Sequence, residues 1–312
     1  MLVFLCLALI VLIGSRLGRA MANKKDTFSG TAVNWHLAQL NDGGAVAAGL
    51  KLNSSYVAAK DISHETENQL SKISQPIVKN SNHVKSAEKY AYDTKYVQEV
   101  ITGKKVHEGD KVVFLTFDDG PNNTISPKVL DILKNEGVHG TFFLVGKGIG
   151  EKYRTTLTRE LIEGHGIATH SMTHEYTLLY PGRTGNPDRI LYEVDKMNEV
   201  LKGFYGPDFQ SNVFRYPGGH MSWKGLDKAD AVLSSHGIQW IDWNVMTGDA
   251  QPKKERPVDT AGILAFLDKS VTRANVKSMV VVLMHDGENK DLTVESLPSV
   301  IKYFKDAGYS FG

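Results

Sequence analysis

The sequence predicts an α/β fold in which parallel strands alternate with helices. Two observations carry this prediction. Short uninterrupted apolar runs, such as residues 112–117 (VVFLTF), are typical of parallel strands that are buried on both faces. Segments suited to helices separate these runs from about residue 111 onward. This regular alternation indicates a distorted (β/α) barrel, whose chemistry lies at the carboxyl ends of its strands.

The predicted elements follow one another in a regular order. After the first strand comes a helix that Ser126 can cap, with Pro127 at its first position and its end near Gly137. Further strands are predicted at residues 140–145, 167–169, 213–216, 239–243 and 279–284, with a last one at the end of the sequence. Further helices are predicted at residues 153–163, 189–204, 224–235, 259–272 and 294–307.

The composition limits the binding partners of the protein and the source of its stability. The 312 residues include 36 basic and 35 acidic side chains, so the net charge of +1 gives no general attraction to nucleic acid or to anionic membranes. The single cysteine, Cys6, cannot form an intrachain disulfide, and stability must therefore come from a packed core. We expect a monomer.

The N-terminal region differs from the rest of the chain. Residues 2–14 form an uncharged apolar run, which is shorter than the roughly 20 residues that span a bilayer comfortably. The run fits the core of a signal peptide or short anchor, with a buried hydrophobic helix as the alternative. A signal peptide normally begins with basic residues, whereas here they follow the apolar run. We therefore expect a basic leader before Met1.

The chain therefore divides into three predicted regions. Residues 1–22 are interpreted as a signal peptide or membrane anchor, which places the protein at the cell surface or outside the cell. Residues 23–105 are polar and weakly patterned, and we interpret them as a stalk or small helical region. Residues 106–312 form the predicted main domain. Contact with a membrane is expected only through the N-terminal apolar segment.

Polar side chains of catalytic type gather after the predicted strands. Each has an ordinary structural explanation by itself, as part of a turn, a surface histidine or a salt-bridge partner. Their joint occurrence, in order and at strand ends, favours a single site at the carboxyl edge of the sheet. In chain order these residues are Asp118 and Asp119, His170 and His174, Arg215, Asp242 and Asp249, and His285.

The two histidines suggest a metal site. Because His170 and His174 are four residues apart, both can reach one ion if the segment forms a helical turn. A carboxylate from another strand end would complete the set. Three protein ligands leave one coordination position open, as a catalytic zinc site requires. We expect one divalent ion, zinc, with cobalt or manganese as alternatives.

Five ordered motifs resemble those of the polysaccharide deacetylases with a NodB-homology domain, carbohydrate esterase family 4. The resemblance covers about residues 111–312 and implies the distorted barrel of the NodB-homology type. It also implies removal of acetyl groups from N-acetylated sugars, as in the peptidoglycan deacetylases of Gram-positive bacteria. The motifs are residues 116–121 (TFDDGP), 164–167 with 170–174 (GHGI and HSMTH), 214–219 (FRYPGG), 242–249 (DWNVMTGD) and 283–286 (LMHD).

The resemblance implies a role for each matching residue. The metal ligands would be Asp119, His170 and His174. Asp118 would be the general base that takes a proton from the attacking water. Arg215 would keep Asp118 ionised and oriented, because a nearby positive charge favours the carboxylate.

The same resemblance implies the remaining site residues. His285 would be the general acid that protonates the departing sugar nitrogen, and Asp249 would keep His285 protonated. The backbone N–H of Gly218 would help to stabilise the oxyanion of the attacked acetamide. Tyr216 and Leu283 complete the implied substrate-binding residues.

Two positions depart from the family pattern. The family often has an aromatic residue where this chain has Gly218, and a tryptophan where it has Ala250. We expect these changes to affect the choice of substrate more than the type of reaction. His220, which closely follows the third motif, is a further candidate substrate contact. The candidates to compensate for the lost aromatic groups are Trp223, Trp240 and Trp243.

The sequence therefore predicts a metal-dependent hydrolase that removes acetyl groups from a GlcNAc-containing polysaccharide. Export to the cell surface favours peptidoglycan as the substrate, with chitin, poly-N-acetylglucosamine and acetylated xylan as alternatives. A second interpretation is a surface adhesin or carbohydrate-binding protein with weak or no catalysis. The missing aromatic groups favour that interpretation, and the full set of catalytic residue types disfavours it. A third is a metal-dependent amidase that acts on a non-sugar amide.

Overall fold

The computed structural model describes residues 76–312, in which a curled parallel sheet is wrapped by helices. The strands are β1 (Val112–Asp118), β2 (Gly140–Leu144), β3 (Gly166–Thr169), β4 (Val213–Phe214), β5 (Gln239–Trp240), β6 (Val245–Met246), β7 (Met279–His285) and β8 (Ser310–Phe311). The helices are α1 (Thr94–Ile101), α2 (Ser126–Glu136), α3 (Arg154–Ile162), α4 (Tyr176–Leu179), α5 (Pro187–Tyr205), α6 (Asp227–Ser235), α7 (Thr260–Arg273) and α8 (Asp291–Asp306).

The sheet is an open half-barrel. Its strands are parallel and lie in the order β5-β4-β3-β2-β1-β7-β6, with β8 paired to the start of β1. Within the described residues, the two ends of this path, β5 and β6, do not pair with each other. This topology confirms the predicted distorted (β/α) barrel. In the central pair β1 and β7, the register sets Asp118 opposite His285 at the carboxyl ends.

The two faces of β1 show why this strand is apolar along its length. Successive side chains of a strand point to opposite faces. Val113, Leu115 and Phe117 pack on one face in the main core, which also contains buried residues of α2 and α8. Phe114 lies on the other face, toward the interior of the half-barrel. Each large apolar side chain buried in this way contributes about 2 kcal/mol of transfer free energy.

Helix α1 packs into the interior of the half-barrel. Asp93 caps its N-terminus, because the carboxylate accepts a hydrogen bond from the backbone N–H of Tyr96 at 2.8 Å. Val97 and Val100 are buried in one cluster with inward-facing residues of the strands, among them Phe143. Residues 94–101 fall within the region that was predicted to be a stalk or small helical region, and they form a helix that shares a hydrophobic core with the sheet.

Most predicted elements are present with shifted ends, and hydrogen bonds account for one of the shifts. The strand predicted to reach residue 243 ends at Trp240. Beyond it, the carbonyl groups of Ile241 and Asp242 accept hydrogen bonds from the buried side chain of Arg215. Ser126 starts helix α2 as the sequence suggested, but its side chain makes no capping hydrogen bond.

The predicted signal peptide or anchor at residues 1–22 lies outside the described residues. Across residues 76–312, every helix is too short or too polar to cross a membrane.

The packing of α1 predicts a stability effect. Val100 is completely buried, so Val100→Ala in the full chain should leave a cavity and lower the free energy of unfolding by about 2 kcal/mol. Val106→Ala is the matched control, because Val106 is 79% exposed and its truncation should cost less than about 0.5 kcal/mol. Urea unfolding followed by circular dichroism measures both values. Equal stability of the two variants would contradict the place of α1 in the core.

Candidate active site

An open cleft lies at the carboxyl ends of the strands and gathers eight of the ten predicted site residues. The two that do not line it are Arg215 and Tyr216, which are buried behind its surface. The eight that line it are Asp118, Asp119, His170, His174, Gly218, Asp249, Leu283 and His285.

Asp119, His170 and His174 have the geometry of a metal site. The Oδ1 atom of Asp119 lies 3.4 Å from Nε2 of His174 and 3.8 Å from Nε2 of His170. The candidate ligand atoms of the three residues all lie within 4.8 Å of one another. Around a tetrahedral ion with bonds of about 2.1 Å, neighbouring ligand atoms lie about 3.4 Å apart. The three side chains can therefore hold one divalent ion such as zinc.

The surroundings of His170 keep it in the form that binds metals. Burial lowers the pKa of His170 to about 3, so the ring is neutral at pH 7. Its Nδ1 group donates a hydrogen bond to the backbone carbonyl of Arg215 at 2.8 Å. This bond fixes the orientation of the ring and leaves Nε2 for the ion.

The two histidines come together in a strained loop and not in the helical turn that the sequence offered as one way for both to reach an ion. Ser171 has φ +67° and His174 has φ +57°, values that non-glycine residues rarely adopt. The Ser171 hydroxyl accepts a hydrogen bond from the backbone N–H of His174 at 2.9 Å. The carboxylate of Glu193, fully buried on α5, accepts the backbone N–H groups of residues 172 and 173. These bonds hold the loop in its strained conformation.

The turn after β1 positions Asp119, which also has a positive φ of +79°. A Cβ atom on Gly120 would lie only 2.6 Å from Oδ2 of Asp286, so glycine is required there. Asp286 is fully buried and accepts hydrogen bonds from the Ser126 hydroxyl through its side chain and from the Asn122 amide through its carbonyl. No role was predicted for Asp286, although its place inside the fifth motif could have signalled one.

Arg215 is completely buried beneath the cleft and contacts Asp118 directly. Its Nη1 group donates to Oδ1 of Asp118 at 2.7 Å and to the Thr116 hydroxyl at 2.8 Å. Its Nε and Nη2 groups donate to the carbonyl oxygens of Ile241 and Asp242, both at 3.2 Å. A guanidinium satisfied in this way holds the carboxylate in one orientation.

His285 and Asp249 form the second charged pair of the cleft. Nδ1 of His285 lies 3.0 Å from Oδ1 of Asp249, and the backbone N–H of His285 donates to Oδ2 at 2.8 Å. Burial lowers the pKa of His285, but the charge and hydrogen bond of Asp249, with the charges of Asp118 and Asp119, outweigh it, so this pKa lies above its ordinary value. Burial likewise opposes ionisation of Asp249, and interaction with His285 nevertheless brings the pKa of Asp249 below its ordinary value.

Two predicted substrate contacts, Tyr216 and His220, belong to the third-motif segment and do not line the cleft. Tyr216 is fully buried, and its hydroxyl donates to Asp230 at 2.8 Å. The ring of His220 lies 2.9 Å from the same carboxylate and stacks on Trp240 with ring centres 4.1 Å apart. Both side chains turn away from the cleft and support the loop that carries Gly218. They are excluded from the cleft surface because their polar atoms are already paired inside the protein.

The tryptophans named as compensating candidates have different positions. Trp243 lines the cleft. Trp240 lies behind the third-motif loop against His220. Trp223 packs against Tyr176, a cleft-lining residue that no sequence motif singled out.

Several known proteins are similar to this chain. The family model for polysaccharide deacetylases matches residues 105–247. The putative polysaccharide deacetylase YheN of Bacillus subtilis is 31% identical over 67% of this chain and 68% of its own length. A peptidoglycan-N-acetylglucosamine deacetylase of Bacillus cereus is 30% identical over 66% of this chain and 88% of its own length.

A solved structure extends the similarity beyond the family model. A CE4 esterase of Streptococcus mutans superimposes with a TM-score of 0.73 at 46% identity. The match covers 76% of this chain and 98% of that one. This share of the chain is larger than residues 105–247, so the likeness includes residues outside the matched family segment.

The three-residue set predicts a measurable metal affinity. Isothermal titration of the metal-free protein with zinc should show one ion per chain. His174→Ala should weaken binding by about 100-fold or more, because it removes one of three ligands. His236→Ala, which truncates an exposed histidine at the end of α6, is the matched control. Unchanged zinc affinity in His174→Ala would contradict the assignment of the set.

The pairing of His285 with Asp249 predicts that the pKa of His285 depends on Asp249. In the metal-free protein, the pKa of His285 should lie above the ordinary value of a histidine, and Asp249→Asn should lower it by removing a negative charge that favours the imidazolium. Nuclear magnetic resonance of ring-labelled histidine measures both values. His83 lies outside the cleft, burial lowers its pKa, and its titration should be the same in the two proteins. Identical titration of His285 with and without Asp249 would refute the electrostatic coupling.

Proposed function

The chain belongs to the polysaccharide deacetylases of carbohydrate esterase family 4, and from this premise we propose that it hydrolyses the N-acetyl groups of a GlcNAc-containing polysaccharide. One observation carries the proposal. A single cleft joins a three-residue metal set to a carboxylate held by a buried arginine and a histidine held by a second carboxylate. Binding of a carbohydrate alone requires neither proton-transfer group.

The donor set suits one divalent ion. Asp119, His170 and His174 would hold it and leave at least one coordination position open. When bound, zinc would supply a Lewis acid that polarises the acetamide carbonyl and lowers the pKa of the attacking water. Cobalt and manganese are alternatives for the same nitrogen and oxygen donors.

Asp118 is the proposed general base. Arg215 holds its Oδ1 atom, while Oδ2 lies 3.7 Å from Nε2 of His170 and therefore faces the metal set. In this position the carboxylate can accept the proton of the attacking water as the water oxygen bonds to the acetyl carbon. Arg215 is a positioning group in this scheme, because it is completely buried and acts on the reaction only through its contact with the base.

His285 is the proposed general acid. Asp249 binds its Nδ1 group, which leaves Nε2 available to the cleft, and the raised pKa keeps the ring protonated to higher pH. As the carbon–nitrogen bond breaks, the proton passes to the sugar nitrogen, and the products are acetate and a free amine. Gly218 would donate its backbone N–H to the oxyanion, and Leu283 would line the acetyl pocket.

Peptidoglycan is the proposed natural substrate, acted on at the cell surface or outside the cell. The similarity to a Bacillus cereus peptidoglycan-N-acetylglucosamine deacetylase supports this choice. The predicted N-terminal signal supports the location, because it would deliver the domain to the cell wall. Chitin oligomers, poly-N-acetylglucosamine and acetylated xylan are the alternative substrates to test.

Acetate release tests the proposal. The full zinc-loaded chain should release acetate from peptidoglycan or from a chitin oligomer. Asp119→Ala and His285→Ala should each lower kcat/KM by about 100-fold or more, because one removes a metal ligand and the other removes the general acid. An enzymatic acetate assay measures the rate, and mass spectrometry of the sugar product identifies the free amine.

His236→Ala serves as the matched control and should retain full activity. The ranking of the polymers by kcat/KM would narrow the substrate. If the zinc-loaded protein binds a polymer and releases no acetate from any of them, the proposed hydrolysis is wrong and the carbohydrate-binding alternative is favoured.

A further inference from the structure

The wall of the cleft beside Gly218 is built from residues that are distant in sequence. Gly218 has φ +80°, and a Cβ atom placed on it would lie 3.3 Å from Oη of Tyr176 and 3.3 Å from Cζ2 of Trp223. These two aromatic side chains therefore stand where a side chain at position 218 would project. The family often has an aromatic residue at the position of Gly218, and in this chain Tyr176 of α4 provides an aromatic group at the same place.

A stack of aromatic rings holds Tyr176 in place. Its ring meets that of Trp223 edge to face, with ring centres 5.0 Å apart. Trp223 in turn stacks on Tyr180 with ring centres 4.0 Å apart, and its indole N–H donates to the carbonyl of Pro217 at 2.9 Å. The guanidinium of Arg183 lies 5.2 Å from the Trp223 ring centre. Because its neighbours are fixed, Tyr176 presents a preorganised surface to the cleft.

Tyr176 nevertheless remains open toward the cleft. Its side chain lines the cleft with its ring centre 5.4 Å from that of His174, and 43% of the residue is exposed. Its hydroxyl forms no hydrogen bond with any residue between 76 and 312. By contrast, the neighbouring Tyr180 is only 2% exposed and serves the core. A tyrosine with a fixed ring and a free hydroxyl beside the metal set is suited to bind a ligand.

We infer that Tyr176 contacts the substrate: its ring packs against the apolar face of a pyranose ring bound beside the metal set, and its hydroxyl forms a hydrogen bond with that sugar. The carbohydrate class of this ligand rests on the proposed function. An aromatic ring offers a flat apolar surface with one polar group at its edge, which matches a sugar ring with C–H groups on its face and hydroxyls around its rim. Trp223 acts only through Tyr176, as a positioning residue.

Binding of a defined sugar tests the inference. The probe is N,N′,N″-triacetylchitotriose, titrated calorimetrically into the zinc-loaded full chain. In this titration the wild type and each variant also carry His285→Ala, so that the sugar is not hydrolysed while it is bound. Tyr176→Ala should raise the Kd by about tenfold, and Tyr176→Phe, which loses only the hydroxyl, by about threefold. Zinc affinity should be the same in both variants and the wild type, because Tyr176 is outside the ligand set. Tyr192→Ala is the matched control, since Tyr192 is 50% exposed on α5 and does not line the cleft.

The possible outcomes distinguish a failure of the sugar contact from a failure of the proposed hydrolysis. Equal Kd values for the wild type and Tyr176→Ala would overturn the inference, as would a loss of sugar binding matched by an equal loss of zinc affinity. Absence of binding of both chitotriose and a peptidoglycan fragment by the wild type would overturn it as well. If the wild type binds the sugar through Tyr176 but releases no acetate, the sugar contact stands and the proposed hydrolysis fails.

Discussion

The buried ion pair between Arg215 and Asp118 is the interaction on which the cleft depends. Both side chains are almost fully buried, and their charged atoms lie 2.7 Å apart. Taking two charges out of water is costly unless the remaining polar atoms are also paired. Here Thr116 and the carbonyl groups beyond β5 accept three further guanidinium hydrogens. Both carbonyls belong to the two residues that follow β5, so the ion pair is tied to the end of this strand.

The metal set depends on a second constraint, local backbone strain. Asp119 and His174 both have positive φ, and each such residue costs of order 1–3 kcal/mol unless the surroundings enforce it. Buried carboxylates supply that enforcement: Asp286 lies against the turn at Gly120, and Glu193 accepts the backbone N–H groups of the histidine loop. The ligands are therefore positioned by groups one layer deeper in the protein.

Residues outside the family motifs complete the domain. The motifs supply the groups that would carry out the chemistry, whereas α1 fills the half-barrel from a segment that precedes them. In the same way, Tyr176 forms the wall that the third motif lacks at Gly218. Motif residues and supporting residues are thus under different constraints. The reaction fixes the chemical type of the motif residues. A supporting residue need only fill a given space with suitable polarity, so different segments of a chain can provide it.

The sequence by itself determined the alternation of strands and helices and the carboxylates and histidines that meet in the cleft. It could do so because apolar runs report burial, and because the carboxyl ends of parallel strands converge at one edge of a sheet. Only the tertiary structure decided that Tyr216 is buried, that the histidine loop is not helical, that α1 joins the core and that Tyr176 replaces a side chain at Gly218. These features depend on contacts between residues far apart in the chain, and local periodicity carries no information about such contacts.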